Sequence, residues 1–490
     1  MDAAAFAELA KQGFNRIPVY RQVLSDLDTP LSVYRKLADG PYAYLFESVQ
    51  GGEQWSRYSM IGLPAKTVYH VRGNELTREE YGEVVERREV ADPLAAVAEL
   101  QEQFRVPELE GLPAFCGGLV GYFAYECVRF IEPRLASRAL DDELGTPEIT
   151  LMLSEEVAVF DNLHGRLFLI ACADPGQRGD LARVERRLDQ LVHRLRHSGA
   201  GYPETSGAQA LSEADFRSGF TRGEFVEAVV RCKEYIAAGD IMQVVLSQRL
   251  SVPFSTSPVN VYRALRSLNP SPYMFLLNLD DTHVVGSSPE VMTRLEDGQI
   301  MVRPIAGTRP RGATPAADQA LEQELLNDPK ELAEHLMLID LGRNDVGRVS
   351  ETGSVELAEQ MVIERYSHVM HIVSEVRGRL APELGPLDAL RATFPAGTLS
   401  GAPKVRAMEI IAELEPVRRN IYAGAVGYIG WWGEMDTAIA IRTAVIREGQ
   451  LHVQVGAGIV ADSDPAMEWE ETMNKGRALF KAVAQAAEGL

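Results

Sequence analysis

Cysteine, long apolar runs and excess positive charge are all scarce in this sequence. Four cysteines occur in 490 residues and none forms a C-x-x-C pair, which argues against a disulfide framework and favours a reducing compartment. The longest apolar stretch, residues 112–128, is interrupted by glycines and by Glu126 and is too short to cross a bilayer. The opening MDAAAFAELAKQG has neither the basic nor the apolar region of a signal peptide, so we expect a cytoplasmic protein.

The charge balance of the chain is acidic. Lysine and arginine number 49 against 70 aspartates and glutamates, which gives a formal net charge of −21. Such a chain repels nucleic-acid phosphates and anionic membrane surfaces, so we expect neither as a partner. An anionic ligand would need local cations or a metal ion to overcome that field.

A Gly/Ser/Pro/Ala-rich stretch, residues 198–212, predicts a linker. It divides the chain into an N-terminal portion, residues 1–205, and a C-terminal domain, residues 213–490. Two domains of this size fit the length of the chain.

Well-marked elements follow the linker. Thr221 and Glu224 form a capping box that predicts a helix start, and residues 241–252 alternate as a strand. Residues 423–430, 437–447 and 451–460 predict an antiparallel meander. Short antiparallel strands mixed with capped helices indicate an α+β fold rather than a doubly wound parallel sheet.

Two predicted helices begin alike, each with an aspartate followed by a proline, at Asp328-Pro329 and Asp464-Pro465. Each carries two glutamates three residues apart on one face, which are Glu331 and Glu334 in the first helix and Glu468 and Glu471 in the second. The plain interpretation is two solvated faces, with a capping box at Glu331 and an ion pair between Glu471 and Lys475. The alternative is that the faces oppose each other across a cleft and hold a divalent cation, which with oxygen ligands would be Mg²⁺.

Three further features admit a structural and a functional interpretation. Arg442 lies among alanines on the predicted middle strand of the meander and is either a surface arginine or the partner of a ligand carboxylate. Gly456 and Gly458 mark either a bulge or a close approach of the backbone to a ligand. His371 is by default a hydrogen-bonded core histidine. These patterns alone indicate a cleft enzyme or an anion-binding protein.

Taken together, five strings resemble the chorismate-utilising enzyme family. They are PIAGTRPRG (304–312), DPKELAEHLMLIDLGRND (328–345), GTLSGAPK (397–404), VQVGAGIV (453–460) and EWEETMNKGRAL (468–479). LFES (45–48) and NPSPYMF (269–275) are similar to the anthranilate-forming branch of that family, where LLES is usual, so Phe46 is a mild departure. The resemblance implies large, mainly antiparallel sheets covered by helices, with the N-terminal portion packed on the catalytic domain as a regulatory part.

The resemblance also implies a metal site and an acid. Mg²⁺ held by Glu334 and Glu471, with Glu331 and Glu468 around it, would bind the ring carboxylate of chorismate. Glu290 would protonate the departing 4-hydroxyl, a role that requires a raised pKa. His371 would sit near the ring and assist that departure or the later elimination of pyruvate.

The rest of the implied site is a polar wall. Arg442, Tyr422 and the backbone of Gly456, Ala457 and Gly458 would hold the enolpyruvyl carboxylate. The remaining residues expected to line the pocket are Gly307, Thr308, Thr398 and Lys475.

Two positions bear on the nucleophile. Water-adding members of the family carry a lysine where this chain has Gln243, and aminodeoxychorismate synthases carry one where it has Ala306. The resemblance therefore implies that ammonia attacks C2, giving anthranilate and pyruvate in the first step of tryptophan biosynthesis. The alternatives are an aminase that stops at 2-amino-2-deoxyisochorismate or makes aminodeoxychorismate, and a non-catalytic relative that binds chorismate or tryptophan.

A partner and an inhibitor are implied as well. A glutaminase needs a cysteine in a Gly-x-Cys-x-Gly turn, and no cysteine here has that context. We therefore expect a separate glutamine amidotransferase subunit, in a heterotetramer of two large and two small chains. The residues that resemble the family's site for the feedback inhibitor L-tryptophan are Ser48, Pro272, Tyr273 and Met274. Without the family, a strand end and a Pro-rich turn would be the plain interpretation.

Overall fold

The computed structural model describes residues 1–49, 57–137, 140–201, 210–366 and 369–490. Its strands, in chain order, are β1 (Ile17–Leu24), β2 (Ala43–Glu47), β3 (Tyr58–Gly62), β4 (Thr67–Arg72), β5 (Glu75–Glu80), β6 (Glu83–Glu89), β7 (Gly118–Phe123), β8 (Ile149–Ser154), β9 (Glu156–Asp161), β10 (Arg166–Ala173), β11 (Arg217–Ser218), β12 (Gln243–Pro253), β13 (Tyr273–Asn278), β14 (Thr282–Ser288), β15 (Val291–Glu296), β16 (Gln299–Val302), β17 (Ile305–Pro310), β18 (Glu356–Arg365), β19 (Val369–Arg379), β20 (Gly401–Ala402), β21 (Ala425–Gly430), β22 (Met435–Ile439), β23 (Thr443–Arg447) and β24 (Gln450–Ile459).

The α-helices are α1 (Ala3–Lys11), α2 (Pro30–Val33), α3 (Pro93–Glu102), α4 (Val128–Ile131), α5 (Asp180–His197), α6 (Arg222–Ala237), α7 (Pro258–Leu268), α8 (Pro315–Leu326), α9 (Pro329–Gly347), α10 (Pro386–Thr393), α11 (Gly397–Ser400), α12 (Lys404–Leu414) and α13 (Pro465–Glu488). Within the described residues no helix is both long and apolar enough to span a membrane.

The strands form two large sheets. The first has the order β1-β10-β9-β3-β2-β13-β14-β23-β24-β12-β11, with β20 paired to β12. The second has the order β17-β19-β16-β15-β22-β21-β7-β8-β4-β5-β6, with β18 paired to β19. Neighbouring strands in both sheets pair antiparallel. The predicted α+β fold with large antiparallel sheets is confirmed.

The main core lies between the two sheets, and helices cover the outer face of the first sheet. Strand β13 illustrates this arrangement, because its side chains alternate between two hydrophobic clusters, one on each face of the first sheet. Phe275 and Leu277 pack in the core shared with the second sheet. Met274 and Leu276 pack in the cluster that includes α5, α7 and α13. Both faces of this strand are therefore buried, and its sequence is a continuous apolar run.

The two portions on either side of the predicted linker share both sheets. Strand β2 pairs with β13 in the first sheet, and β7 pairs with β21 in the second. Residues 202–209 of the linker, and with them the predicted boundary at residue 205, lie outside the described residues. The division into a regulatory portion, 1–205, and a catalytic domain, 213–490, stays a prediction.

The predicted helix starts and the predicted strand after the linker are confirmed. Thr221 and Glu224 form a capping box at the start of α6. Asp328 accepts hydrogen bonds from the first backbone N–H groups of α9, and Asp464 does the same for α13. The predicted strand at residues 241–252 is β12.

The predicted single strand at residues 437–447 is wrong. These residues form two strands, because β22 belongs to the second sheet and β23 to the first. Arg442 lies between them with a φ of +50°, which interrupts the extended backbone. The chain thus crosses between the sheets at Arg442. This arginine therefore does not share one strand face with the neighbouring alanines, as the alternation predicted.

Candidate active site

Glu290 is a buried carboxyl group at the centre of the candidate site. It lies in the tight connection between β14 and β15 and is 7% exposed. Thr398, in α11, donates a hydrogen bond of 2.8 Å from Oγ1 to Glu290 Oε1. Burial raises the pKa of Glu290 to about 8, although Thr398 and the charges of Arg442 and Lys475 act in the opposite direction. A carboxyl group with a pKa near 8 holds its proton at neutral pH, as the predicted role requires, and the role of Glu290 as the acid stays a prediction.

Arg442 contributes a guanidinium group that has no hydrogen bond or ion pair with any residue that the structure describes. Burial lowers the pKa of Arg442, whereas nearby Tyr366 and Glu290 raise it. An arginine side chain carries five N–H donors in a fixed fork that matches a carboxylate. The site therefore presents a cationic group, unpaired among the described residues, close to a buried carboxyl group with a raised pKa.

His371, on β19, is held as a neutral imidazole. Its Nδ1 lies 2.9 Å from the carbonyl oxygen of Gly307, which can only accept, so Nδ1 carries the proton. A register shift at Gly307, where φ is +67°, brings that carbonyl to the ring. Burial lowers the pKa of His371 to about 4, and the charge of Arg442 adds to this effect. Among the described residues Nε2 has no hydrogen-bond partner and remains an acceptor.

The glycines of β24 are explained by two side chains that approach the strand closely. The register of β24 against β12 is unbroken, so the interpretation as a bulge is wrong. A Cβ on Gly456 would lie 2.7 Å from the Tyr422 hydroxyl oxygen, and one on Gly458 would lie 2.6 Å from Gln243 Nε2. Ala457, between them, packs in the core on the other face. Glycine at both positions therefore makes room for Tyr422 and Gln243 beside the strand.

Gln243 connects this strand to the first pair of glutamates. Its Nε2 donates to Glu334 Oε1 at 3.2 Å. Its Oε1 is buried and has no hydrogen-bond partner among the residues that the structure describes. An unpartnered buried acceptor costs free energy unless a ligand or water donates to it. Gln243 therefore offers one acceptor to the site.

The two helix starts bring the acidic residues toward each other. The charge of Lys330, in the first turn of α9, lowers the pKa of Glu468, in the first turn of α13, so the two helix starts are close in space. Burial raises the pKa of Glu468, and neighbouring Glu471 raises it further. Burial and the adjacent Glu334 raise the pKa of Glu331 in the same way, and Arg309 lies 3.5 Å from it. The fully solvated faces of the plain interpretation are not what the structure shows.

The donor set suits a hard divalent cation. Glu468 is 9% exposed, and its Oε2 is buried without a hydrogen-bond partner in the described ranges. Added positive charge would relieve the repulsion within each pair of glutamates. Within the described ranges, no three His, Cys, Asp or Glu side chains already lie close enough together to hold a metal ion. The four glutamates thus offer oxygen donors of the kind that Mg²⁺ prefers, in two pairs that do not form a closed metal site.

Lys475 links α13 to the glycine strand. Its Nζ lies 2.8 Å from Glu471 Oε1, which is the ion pair of the plain interpretation. The same Nζ donates to the carbonyl oxygen of Gly456 at 3.1 Å. The structure thus places Lys475 between a candidate metal ligand and the predicted carboxylate-binding strand.

A separate cavity, away from Glu290, lies between the two sheets and has a volume of about 820 Å³. All four residues predicted for the inhibitor site line it, namely Ser48, Pro272, Tyr273 and Met274. Tyr273 donates a hydrogen bond of 2.8 Å to Asp436 Oδ1 on the second sheet. Asp436 and Arg294 line the same cavity, and no sequence pattern indicates them because only the packing of the second sheet against the first brings them there.

Comparison with known proteins identifies the family. The model of the chorismate-binding enzyme family matches residues 43–481. This chain belongs to that family. The chorismate-binding enzyme is 58% identical to anthranilate synthase component 1 of Pseudomonas aeruginosa over the whole of both chains. It is 59% identical to the protein of that name from Pseudomonas putida, over 99% of each chain.

Solved structures agree with this assignment. The crystal structure of anthranilate synthase component I from Streptococcus pneumoniae has a TM-score of 0.78 and 35% identity, covering 94% of this chain and 99% of that one. The menaquinone-specific isochorismate synthase from Escherichia coli has the same fold, with a TM-score of 0.71 and 18% identity over 98% of this chain and 99% of that one. The predicted resemblance is confirmed, and the chain is an enzyme of this family.

Proposed function

We propose that this chorismate-binding enzyme is the large subunit of an anthranilate synthase, which catalyses the first step of tryptophan biosynthesis. It joins ammonia to C2 of chorismate, releases the 4-hydroxyl as water and eliminates pyruvate. The observation that carries the proposal is the buried Glu290, whose pKa is raised by burial, close to the Arg442 guanidinium, which has no partner among the described residues. The relatives named anthranilate synthase component 1 support this choice within the family.

In the first half-reaction a nitrogen–carbon bond forms and a carbon–oxygen bond breaks. Arg442 and Tyr422 orient the enolpyruvyl carboxylate along the backbone at Gly456 and Gly458. Glu290 transfers its proton to the 4-hydroxyl, which leaves as water while the ring double bonds shift toward C4. The product is 2-amino-2-deoxyisochorismate, and ammonia supplies the proton that balances the step.

Gln243 is suited to place the nucleophile. Ammonia is nucleophilic without losing a proton, so this position needs an acceptor rather than a base. Gln243 Oε1, which has no partner in the described part of the chain, can accept one N–H of ammonia, while Nε2 stays bonded to Glu334. This arrangement fits the absence of a lysine at positions 243 and 306.

The second half-reaction makes the ring aromatic. It removes the proton from C2 and breaks the bond from the ring to the enolpyruvyl oxygen, which leaves as pyruvate after protonation of its methylene carbon. His371 is the base we propose for C2, because its ring is neutral and its Nε2 is a free acceptor among the described residues. Thr308 holds the same ring through a contact of 3.1 Å between Oγ1 and Nδ1.

Mg²⁺ is the cofactor we propose for the two pairs of glutamates. Glu334 and Glu471 would hold it, with Glu331 and Glu468 beside them. When bound, the ion neutralises the ring carboxylate of chorismate and the charge that the acidic protein would otherwise repel.

The nitrogen source tests the proposed function. We expect the purified chain to form anthranilate from chorismate, Mg²⁺ and ammonium salts, more rapidly at elevated pH where free NH₃ is more abundant. With glutamine it should be inactive until a separate amidotransferase subunit is added. Fluorescence of anthranilate measures both activities. Glutamine-dependent activity in a preparation that mass spectrometry shows to contain this polypeptide alone would contradict the proposed division of labour.

We also propose that L-tryptophan, the end product of the pathway, binds the cavity at Ser48 and lowers activity. Ser48→Phe should fill part of the space beside Tyr273 and weaken tryptophan binding by about 5- to 150-fold, since overpacking a contact costs on the order of 1–3 kcal/mol. Titration calorimetry measures the change. In the wild-type chain, chorismate should weaken tryptophan binding by linkage. The affinity for chorismate should be little altered by Ser48→Phe. Tryptophan affinity unaltered by Ser48→Phe would place the inhibitor elsewhere.

A further inference from the structure

Arg419 is a buried arginine whose side chain is shared by three elements of the candidate site. Its guanidinium pairs with Glu415 through two hydrogen bonds, from Nε to Oε2 at 2.8 Å and from Nη2 to Oε1 at 2.6 Å. Both side chains are almost inaccessible, with exposures of 1% and 2%. Ser247 also donates to Glu415, through its backbone N–H at 2.8 Å and its hydroxyl at 2.7 Å.

The other donors of this guanidinium go to main-chain carbonyl groups. Nη1 donates to the carbonyl oxygen of Leu399 at 2.7 Å, and Nη2 donates to that of Val245 at 2.8 Å. Leu399 follows Thr398 in α11, and Val245 lies on β12 two residues after Gln243. The Arg419 Cζ atom also lies 5.6 Å from the centre of the Tyr422 ring. One side chain therefore contacts the elements that carry three predicted site residues.

An ion pair this deeply buried is weak evidence for stability, because desolvation of the two charges offsets their attraction. What it supplies is geometry, since the planar fork fixes several partners at once. We propose that Arg419 is a positioning residue that holds Thr398 in place to donate its hydrogen bond to Glu290. This inference rests on the proposed function, in which Glu290 is the acid.

The pKa of Glu290 should depend on Arg419 through Thr398. A hydrogen bond donated to the carboxylate lowers its pKa, so loss of the Thr398 contact should raise it. The other charged groups around Glu290 are Arg442 and Lys475, together with Arg303 and Asp345, which line a small cavity of about 40 Å³ beside it. None of these is changed by a substitution at Arg419.

Arg419→Lys is the test. Lysine keeps a positive charge against Glu415, but one ammonium group cannot replace the fork that reaches both carbonyls. In the wild-type chain, kcat measured at constant free NH₃ should fall above the pKa of Glu290. In Arg419→Lys the same decline should occur at a pH about one to two units higher. Thr398→Val should give the same shift, and the double variant should shift no further than Thr398→Val alone. Arg187→Lys is the control, because this partly buried arginine of α5 donates to Glu156 and has no contact with the Arg419 network, so it should leave the pH of the decline unchanged.

An unmoved decline in Arg419→Lys, or additive shifts in the double variant, would overturn the proposal. If Arg419→Lys does not fold, Arg419→Gln with Glu415→Gln removes both charges together and carries the same expectation. Infrared difference spectra against the matching Glu290→Gln chains report the protonation of Glu290 without turnover. A wild-type chain that makes no anthranilate would contradict the proposed function, and the infrared shift would still decide the role of Arg419.

Discussion

Replacing Glu334 or Glu471 with glutamine is expected to lower the turnover of chorismate by about 10³-fold or more. Each substitution removes one negative charge from the candidate ligands while keeping a side chain of the same shape. The fold should change little, because Glu471 is about half exposed and Glu334 is only partly buried. Steady-state kinetics over a range of Mg²⁺ concentrations measure the loss.

Two exposed acids on the same helices provide matched controls. Glu470→Gln on α13 and Asp340→Asn on α9 remove the same charge from side chains that are 52% and 75% exposed. We expect both controls to keep near wild-type activity. Calorimetric titration with Mg²⁺ should show weaker binding in Glu334→Gln and Glu471→Gln only. Near-normal activity of either variant at limiting Mg²⁺ would show that the metal assignment is wrong.

Glu290→Gln is expected to lower kcat by about 10²–10⁴-fold, the usual contribution of a positioned acid. Glutamine keeps the contact with Thr398 but has no proton of comparable acidity for the 4-hydroxyl. In the wild-type chain, kcat at constant free NH₃ should fall as pH rises through about 8, because the raised pKa keeps Glu290 protonated only below that value. The variant should lose this decline along with the activity.

Glu296→Gln on β15 is the control, since its carboxylate lies outside the candidate site and is 54% exposed. It should show the wild-type pH dependence. Chorismate affinity, measured by calorimetry, should change far less than kcat in Glu290→Gln, because we propose that Arg442 and Tyr422 hold the carboxylate. A wild-type rate that stays constant from pH 7 to pH 10 at fixed NH₃ would exclude Glu290 as the proton donor.

Features decided by neighbouring residues in the chain could be predicted from the sequence. Asp328 and Asp464 cap their helices because a short acidic side chain before a proline satisfies the first backbone N–H groups. The spacing of the glutamates then fixes which face of α9 and of α13 they share. The antiparallel character of the sheets followed from short strands with tight turns.

Features decided by contacts between distant residues could not be predicted from pattern. Residues 437–447 alternate like one strand, and nothing local indicates that Arg442 adopts a positive φ where the chain passes from one sheet to the other. The glycines of β24 suggested a bulge, whereas Tyr422 and Gln243 require the space. The role proposed for Arg419 depends on carbonyl groups 174 and 20 residues away along the chain.

The identity of the product tests the central claim most directly. The chain should be incubated with chorismate, Mg²⁺ and ¹⁵N-labelled ammonium. The products should then be separated by chromatography and identified by mass spectrometry. We predict ¹⁵N-labelled anthranilate and an equal amount of pyruvate. Accumulation of 2-amino-2-deoxyisochorismate or aminodeoxychorismate without pyruvate, or binding of chorismate without its consumption, would contradict the account.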